Sequence, residues 1–196
     1  METVMETLVM LGLLAVTAVI AGLTERRTAG RQQRRPMFLH VIFPCLLVLL
    51  LYIRCPEPVA ALRGLALILP LYTAALQDLY SKEVDDCLWV MALLAAFIQF
   101  DPAVLPSMLA GAVMTALPLF AAAMLKTGSV GGADIKMMAA VGLYFGVHKG
   151  LFALFLGLAI GVAGVFIRRK VKKEPMGGSF PLVPFLAAGS YIACLL

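Results

Sequence analysis

The chain has 196 residues, 62% of them hydrophobic and 14% charged, with a mean hydropathy of +0.99; a soluble core of that length cannot bury so much apolar surface, so a lipid bilayer is its expected solvent. The net charge of +5 comes from basic residues clustered between apolar runs, the pattern of cytoplasmic loops facing an anionic leaflet, which argues against a nucleic-acid partner. Cys45, Cys55, Cys87 and Cys194 form no C-x-x-C pair and only two histidines are present, too few ligands at usable spacing for a zinc site, so no metal is expected.

The periodicity and length of the apolar runs predict an all-α fold, a polytopic membrane helical bundle of about eight transmembrane helices. In chain order the runs cover 4–23, 37–53, 58–76, 87–100, 103–125, 136–147, 150–167 and 180–196. The segment Met1 to Leu23 carries Glu2 and Glu6 where a secretory signal would be basic, and Arg26, Arg27, Arg31, Arg34 and Arg35 follow it, so it is expected to stay as a membrane helix. Placing that arginine-rich loop in the cytoplasm fixes the other spans by alternation. Thirteen of the sixteen basic residues then lie inside, with Arg54, Arg63 and Lys149 outside, and both termini are extracytoplasmic. Outer turns are expected at 54–58, at Asp101-Pro102 and at His148-Lys149-Gly150. The fourth and sixth runs are shorter than the ~20 residues of a full crossing, and each follows an acidic cytoplasmic segment.

An acid abutting a membrane span is costly to desolvate and is a candidate functional group. Glu2, Glu6, Glu57 and Asp101 fall outside, and Glu25 and Glu174 lie within basic loops, which leaves Asp78, Glu83, Asp85, Asp86 and Asp134. Asp78 follows on the apolar run Leu65 to Leu76, and Asp134 sits in a glycine-rich turn, Gly128 to Lys136, that opens the short sixth helix. The chain crosses twice between them, so both carboxylates return to one face. Two carboxyls sharing a proton can divide peptide hydrolysis: the ionised one activates a water while the protonated one polarises the carbonyl. Gly131 and Gly132 beside Asp134 would let backbone and a substrate strand approach closely, and amides opening the sixth helix favour an anion. On spacing alone, the two aspartates fit equally well as helix caps or as partners of Lys82 and Lys136.

The stretch Asp78-Leu79-Tyr80-Ser81-Lys82-Glu83-Val84-Asp85-Asp86-Cys87-Leu88-Trp89 resembles the first aspartate segment of prepilin peptidases, above all the preflagellin peptidase branch. Gly131-Gly132-Ala133-Asp134-Ile135-Lys136 resembles their second motif, Gly-x-Gly-Asp followed by lysine, and Gly178 to Ala187 resembles the proline-rich start of their last helix. The resemblance covers 58–196, which it marks as a six-helix domain after a two-helix membrane segment over 1–57. It implies a membrane aspartyl endopeptidase without a cofactor, in which Asp78 and Asp134 are the catalytic pair. The implied substrate is a type IV prepilin-like or pseudopilin precursor, cut at its short basic leader on the cytoplasmic face of the cell membrane. Ala133 replaces the motif's second glycine, which is costly if that position needs positive φ. The paired cysteines and methyltransferase region of larger members have no counterpart in the 24–35 loop, so peptidase without methylase is expected.

The remaining candidates keep two readings each. Asp85 and Asp86 either hold the leader's positive charges or are solvated and capping residues; Lys136 either balances Asp134 or snorkels to the interface. Gly157, Gly161 and Gly164 point to close helix packing, and Cys55 and Cys194 to free thiols or an outer pair. His40 and His148 fall near opposite faces, so no serine or metal centre is expected from them. Two other function classes accommodate the same residues: a non-catalytic scaffold or assembly factor of a pilus or secretion system, and a small proton-coupled transporter using the carboxylates.

Overall fold

The computed structural model describes residues 43–54, 57–98, 100–126, 130–172 and 180–196. The first expected span, the arginine-rich loop, His40 and Cys55 lie outside them. Among the described residues every regular element is helical: α1 (Phe43–Arg54), α2 (Pro58–Tyr80), α3 (Asp86–Ala95), a 3-10 turn (Pro102–Val104), α4 (Leu105–Leu125), α5 (Gly132–Lys172) and α6 (Val183–Leu195). Three helical stretches are long and apolar enough to cross a membrane, Val59–Tyr80, Pro102–Leu125 and Gly132–Ile167, while α3 and α6 are shorter apolar helices. The chain divides into two compact units, 1–65 with Leu195, and 66–194 with Leu196, and the boundary falls inside α2.

In the first unit α1 buries Val48 and Leu51, three residues apart on one helix face, and leaves Leu46, Leu49, Leu50 and Ile53 exposed. In the second unit the end of α2 is interior: Leu67, Ile68, Leu71, Ala74 and Leu76 are buried, together with the polar Thr73 and Gln77. Thr73 Oγ1 donates to the carbonyls of Leu69 (3.1 Å) and Pro70 (2.9 Å), so its hydroxyl is satisfied locally. By contrast α4 turns Leu109, Val113, Leu117, Phe120 and Met124 outward, an apolar face that in water would be unstable and in lipid is ordinary.

Glycines set how closely α4 and α5 approach. A Cβ at Gly111 would collide with the carbonyl oxygen of Gly142, and one at Gly142 with Gly111 O and Thr115 Oγ1, so the backbones cross in direct contact. Thr115 Oγ1, fully buried, lies 2.7 Å from Met138 O on α5 as well as 2.9 Å from Gly111 O on its own helix. At the far end of this crossing Ala96, Met108 and Leu143 form a small core with Leu93, Ala112 and Tyr144.

The helix α5 is two helices. Gly146 has φ 73° and ψ −169°, outside the helical region. Eight residues of straight helix span about 12 Å, yet a Cβ built on Gly150 would lie 3.2 Å from Gly142 Cα. The chain therefore doubles back at Gly146, and 132–145 and 147–172 form a hairpin over the apolar runs 136–147 and 150–167; the count of about eight spans is not settled by these helices. The expected turn at 148–150 is corrected by four residues at most. The reversal needs a positive φ, which Gly146 supplies at least cost, and the exposed His148 and Lys149 instead open the return helix. The return helix then meets α6 at another close crossing, where a Cβ on Gly189 would collide with Gly157 N and one on Gly157 would come 2.9 Å from Leu186 Cα. This is the packing role expected of the small residues along the seventh span.

Candidate functional site

Each candidate aspartate sits at a helix end. Asp78 lies in the last turn of α2, and its half-buried carboxylate accepts a hydrogen bond from the amide of Val183 (3.2 Å), the first residue of α6. This is a carboxylate at the N-terminus of a helix, where unpaired amides and the helix dipole favour negative charge. Helix α2 then stops because Lys82 adopts φ 56°, a left-handed conformation that costs a non-glycine residue about 1 kcal/mol. Its amide reaches back to Asp78 O (3.2 Å), and Ser81 Oγ donates to Gln77 O (2.8 Å).

Asp134 is the third residue of α5 and is buried, with 6% of its surface exposed. The amide of Gly131 donates to Asp134 Oδ2 at 2.9 Å, the backward-reaching arm of a capping box. Asp134 Oδ1 is buried and has no hydrogen-bond partner among the described residues. An unmatched buried oxygen costs on the order of 1–3 kcal/mol, a penalty that calls for a functional reason.

The other candidates separate. Gly131 carries the amide that holds Asp134, and a Cβ there would stand 3.1 Å from Asp134 Oδ2; around Gly132 nothing lies within 4 Å. Neither glycine has positive φ, and Ala133 lies in the first turn of α5, so the cost anticipated for alanine at that position does not arise. Lys136 does not pair with Asp134. Its Nζ lies 2.6 Å from Asp86 Oδ1 and 5.6 Å from the Trp89 ring centroid, while Trp89 Nε1 donates to the same carboxylate at 3.1 Å. The Lys136 ammonium holds the exposed Asp86 carboxyl below the usual carboxylate range. Asp85 is bound by Gln77: Gln77 Nε2 donates to Asp85 Oδ2 and Asp85 N donates to Gln77 Oε1, both at 2.9 Å.

Two participants were missed in the sequence. Gln77 was readable, as a lone amide between the end of an apolar run at Leu76 and Asp78. The Val183 amide was not, because a backbone donor has no residue signature, although Pro181 and Pro184 mark where α6 begins.

Residues 65–166 match the model of the type IV leader peptidase family. Over 91 residues the chain is 36% identical to the prepilin leader peptidase/N-methyltransferase of Bacillus subtilis (strain 168), a match that takes in 44% of this chain and 35% of that relative. The chain thus matches about a third of the length of that curated relative. No solved structure matches.

Proposed function

Because the chain belongs to the type IV leader peptidase family, we propose that it is a membrane aspartyl endopeptidase in which Asp78 and Asp134 form the catalytic pair. The observation that carries this reading is the state of Asp134: buried, oriented by one amide, and with one oxygen without a partner among the described residues. In this mechanism Asp78 is the second carboxylate, and because two like charges brought together do not both ionise readily, the pair would hold one proton between them. The ionised carboxylate takes a proton from the attacking water while the protonated one donates a hydrogen bond to the scissile carbonyl, stabilising the tetrahedral intermediate; the proton then passes to the leaving amine.

The substrate we propose is a prepilin-like precursor with a short basic leader ahead of an apolar helix. A substrate helix of that kind is soluble in the same lipid that solvates α4, and its leader would meet Asp78 and Asp134 at the membrane boundary. The cytoplasmic side is the one we assign to both aspartates, supported by the thirteen basic residues that the alternation places there. The activity carried over from the family is the peptidase alone.

The test is cleavage, in liposomes of anionic lipid, of a synthetic peptide with a basic leader, a glycine and an apolar helix, with the product mass locating the cut. A single cut between leader and apolar helix is expected. A folded chain that leaves a panel of such leaders intact would move the assignment to a scaffold role.

A further inference from the structure

The two aspartate-bearing segments are joined by side chains that are outside the hydrolytic step. Gln77 precedes Asp78 on α2 and is 92% buried, with both ends of its amide engaged by Asp85. Asp86, the next residue, opens α3 and grips Lys136, two residues beyond Asp134 in the first turns of α5. Lys136 is also seated over Trp89, one turn along α3. The loop between α2 and α3 is knit to α2 by Ser81, whose hydroxyl bridges Gln77 O (2.8 Å) and Glu83 O (3.1 Å). From Gln77 through Asp85 and Asp86 to Lys136, the contacts run without interruption from the neighbour of one catalytic carboxylate to that of the other.

We infer that the adjacent acids Asp85 and Asp86 are a two-pronged tie that sets the separation of Asp78 and Asp134, with Gln77 and Lys136 as its anchors and all four as positioning residues. The inference rests on the peptidase reading for its catalytic consequence, but the tie itself is a statement about geometry. The prong anchored on Gln77 does most of the positioning. The Gln77 carboxamide is buried although Asp85 itself is exposed, so an arrangement that breaks the pair leaves the buried amide of Gln77 without its partners. The exposed prong is weaker, since the Lys136 and Asp86 side chains are 47% and 75% exposed and water competes for both.

A tie and a binding site for the leader's positive charges make opposite demands on Asp85. The tie needs an acceptor at Oδ2 and the backbone amide; a leader site needs the negative charge. Asp85→Asn keeps the acceptor and removes the charge. Gln77→Glu removes the side-chain donor and sets two carboxylates against each other, and the double variant restores that side-chain hydrogen bond with donor and acceptor exchanged, while the backbone amide of residue 85 keeps an acceptor throughout.

The experiment measures kcat and KM of the full chain in liposomes on the leader peptide. In parallel, the dipolar broadening between nitroxides at Leu79→Cys and Gly132→Cys is read in a chain whose four native cysteines are serines. Leu79 is exposed and a Cβ at Gly132 meets nothing, so both positions accept a label. Gln77→Glu is expected to lower kcat by about ten- to a hundredfold with KM within about twofold, because misplacing a catalytic group by about 1 Å has an effect of that order. The label separation should widen or spread in the same variant. Asp85→Asn, as the conservative variant, and Gln77→Glu/Asp85→Asn should both return to within about threefold of the wild-type kcat and to the wild-type line shape. Should Gln77→Glu fail to fold, the exposed prong offers the second swap: Asp86→Lys and Lys136→Asp each alter the line shape alone and recover it together. Loss of kcat in Asp85→Asn equal to that in Gln77→Glu, or line shapes indifferent to every swap, would overturn the tie. A wild type that cleaves nothing sinks the peptidase reading instead, and the line shapes then still decide for or against the tie.

Discussion

Replacing Gly131 by alanine tests whether Asp134 is held by its own helix start. The new methyl would stand 3.1 Å from Asp134 Oδ2, a few tenths of an ångström inside ordinary contact, and it would sit on the amide that donates to that oxygen at 2.9 Å. Either the carboxylate or the turn must give way, stretching a hydrogen bond that orients the acid. A displacement of that size is expected to reduce kcat by about tenfold, or ~1.4 kcal/mol of transition-state stabilisation. KM should change little, because the methyl faces the carboxylate, and the unfolding free energy should stay within about 1 kcal/mol of wild type, since no core contact is lost. The same change one residue on is the control: at Gly132 the methyl meets no atom within 4 Å and kcat should stay within about twofold. The assay is steady-state cleavage of the leader peptide in liposomes, with thermal unfolding of the same preparations. A wild-type kcat in Gly131→Ala, or an equal loss in Gly132→Ala, would refute the reasoning.

Two further predictions concern the helix crossings that carry the site. Thr115→Val removes the hydroxyl that bridges α4 and Met138 O, leaving a buried carbonyl without that contact; a loss of about 1 kcal/mol is expected, read as a lower midpoint of unfolding with kcat retained below it. Gly146→Ala forces a side chain into φ 73° and sets its Cβ 2.8 Å from Ser107 Oγ, so a loss of about 2 kcal/mol or more and lower membrane abundance are expected. Adding Ser107→Gly should relieve only the contact part, and full recovery in the double variant would contradict a backbone origin.

How much of this was legible in the sequence depended on range. Helical runs are local, and all the apolar segments that fall among the described residues are helices, with α3 as short as the 87–100 run implied. The hairpin turn was misplaced because hydropathy reads polarity: His148 and Lys149 announced a surface, while the reversal depended on the φ available to Gly146. Gly131 and Gly132 look alike as letters, and only the position of the Asp134 carboxylate tells them apart. The partner of Lys136 was beyond local reading altogether, since Asp86 is fifty residues away in sequence and is brought near by the packing of α3 on α5. The two aspartates stood out because charge at the edge of an apolar run is costly, and that argument needs no tertiary structure.

The account rests on two carboxylates acting as one catalytic unit, and the most direct test is the cleavage rate of Asp78→Asn and Asp134→Asn beside wild type. Asparagine keeps each side chain's size and its acceptor for the Val183 or Gly131 amide while removing the titrating proton. Each single variant, folded and inserted to the wild-type level, is expected to lose at least about a thousandfold in kcat, and the double variant no more than either alone, as befits groups that work as a unit. Appreciable cleavage by a folded Asp134→Asn chain, or losses that multiply in the double variant, would contradict the shared-proton pair.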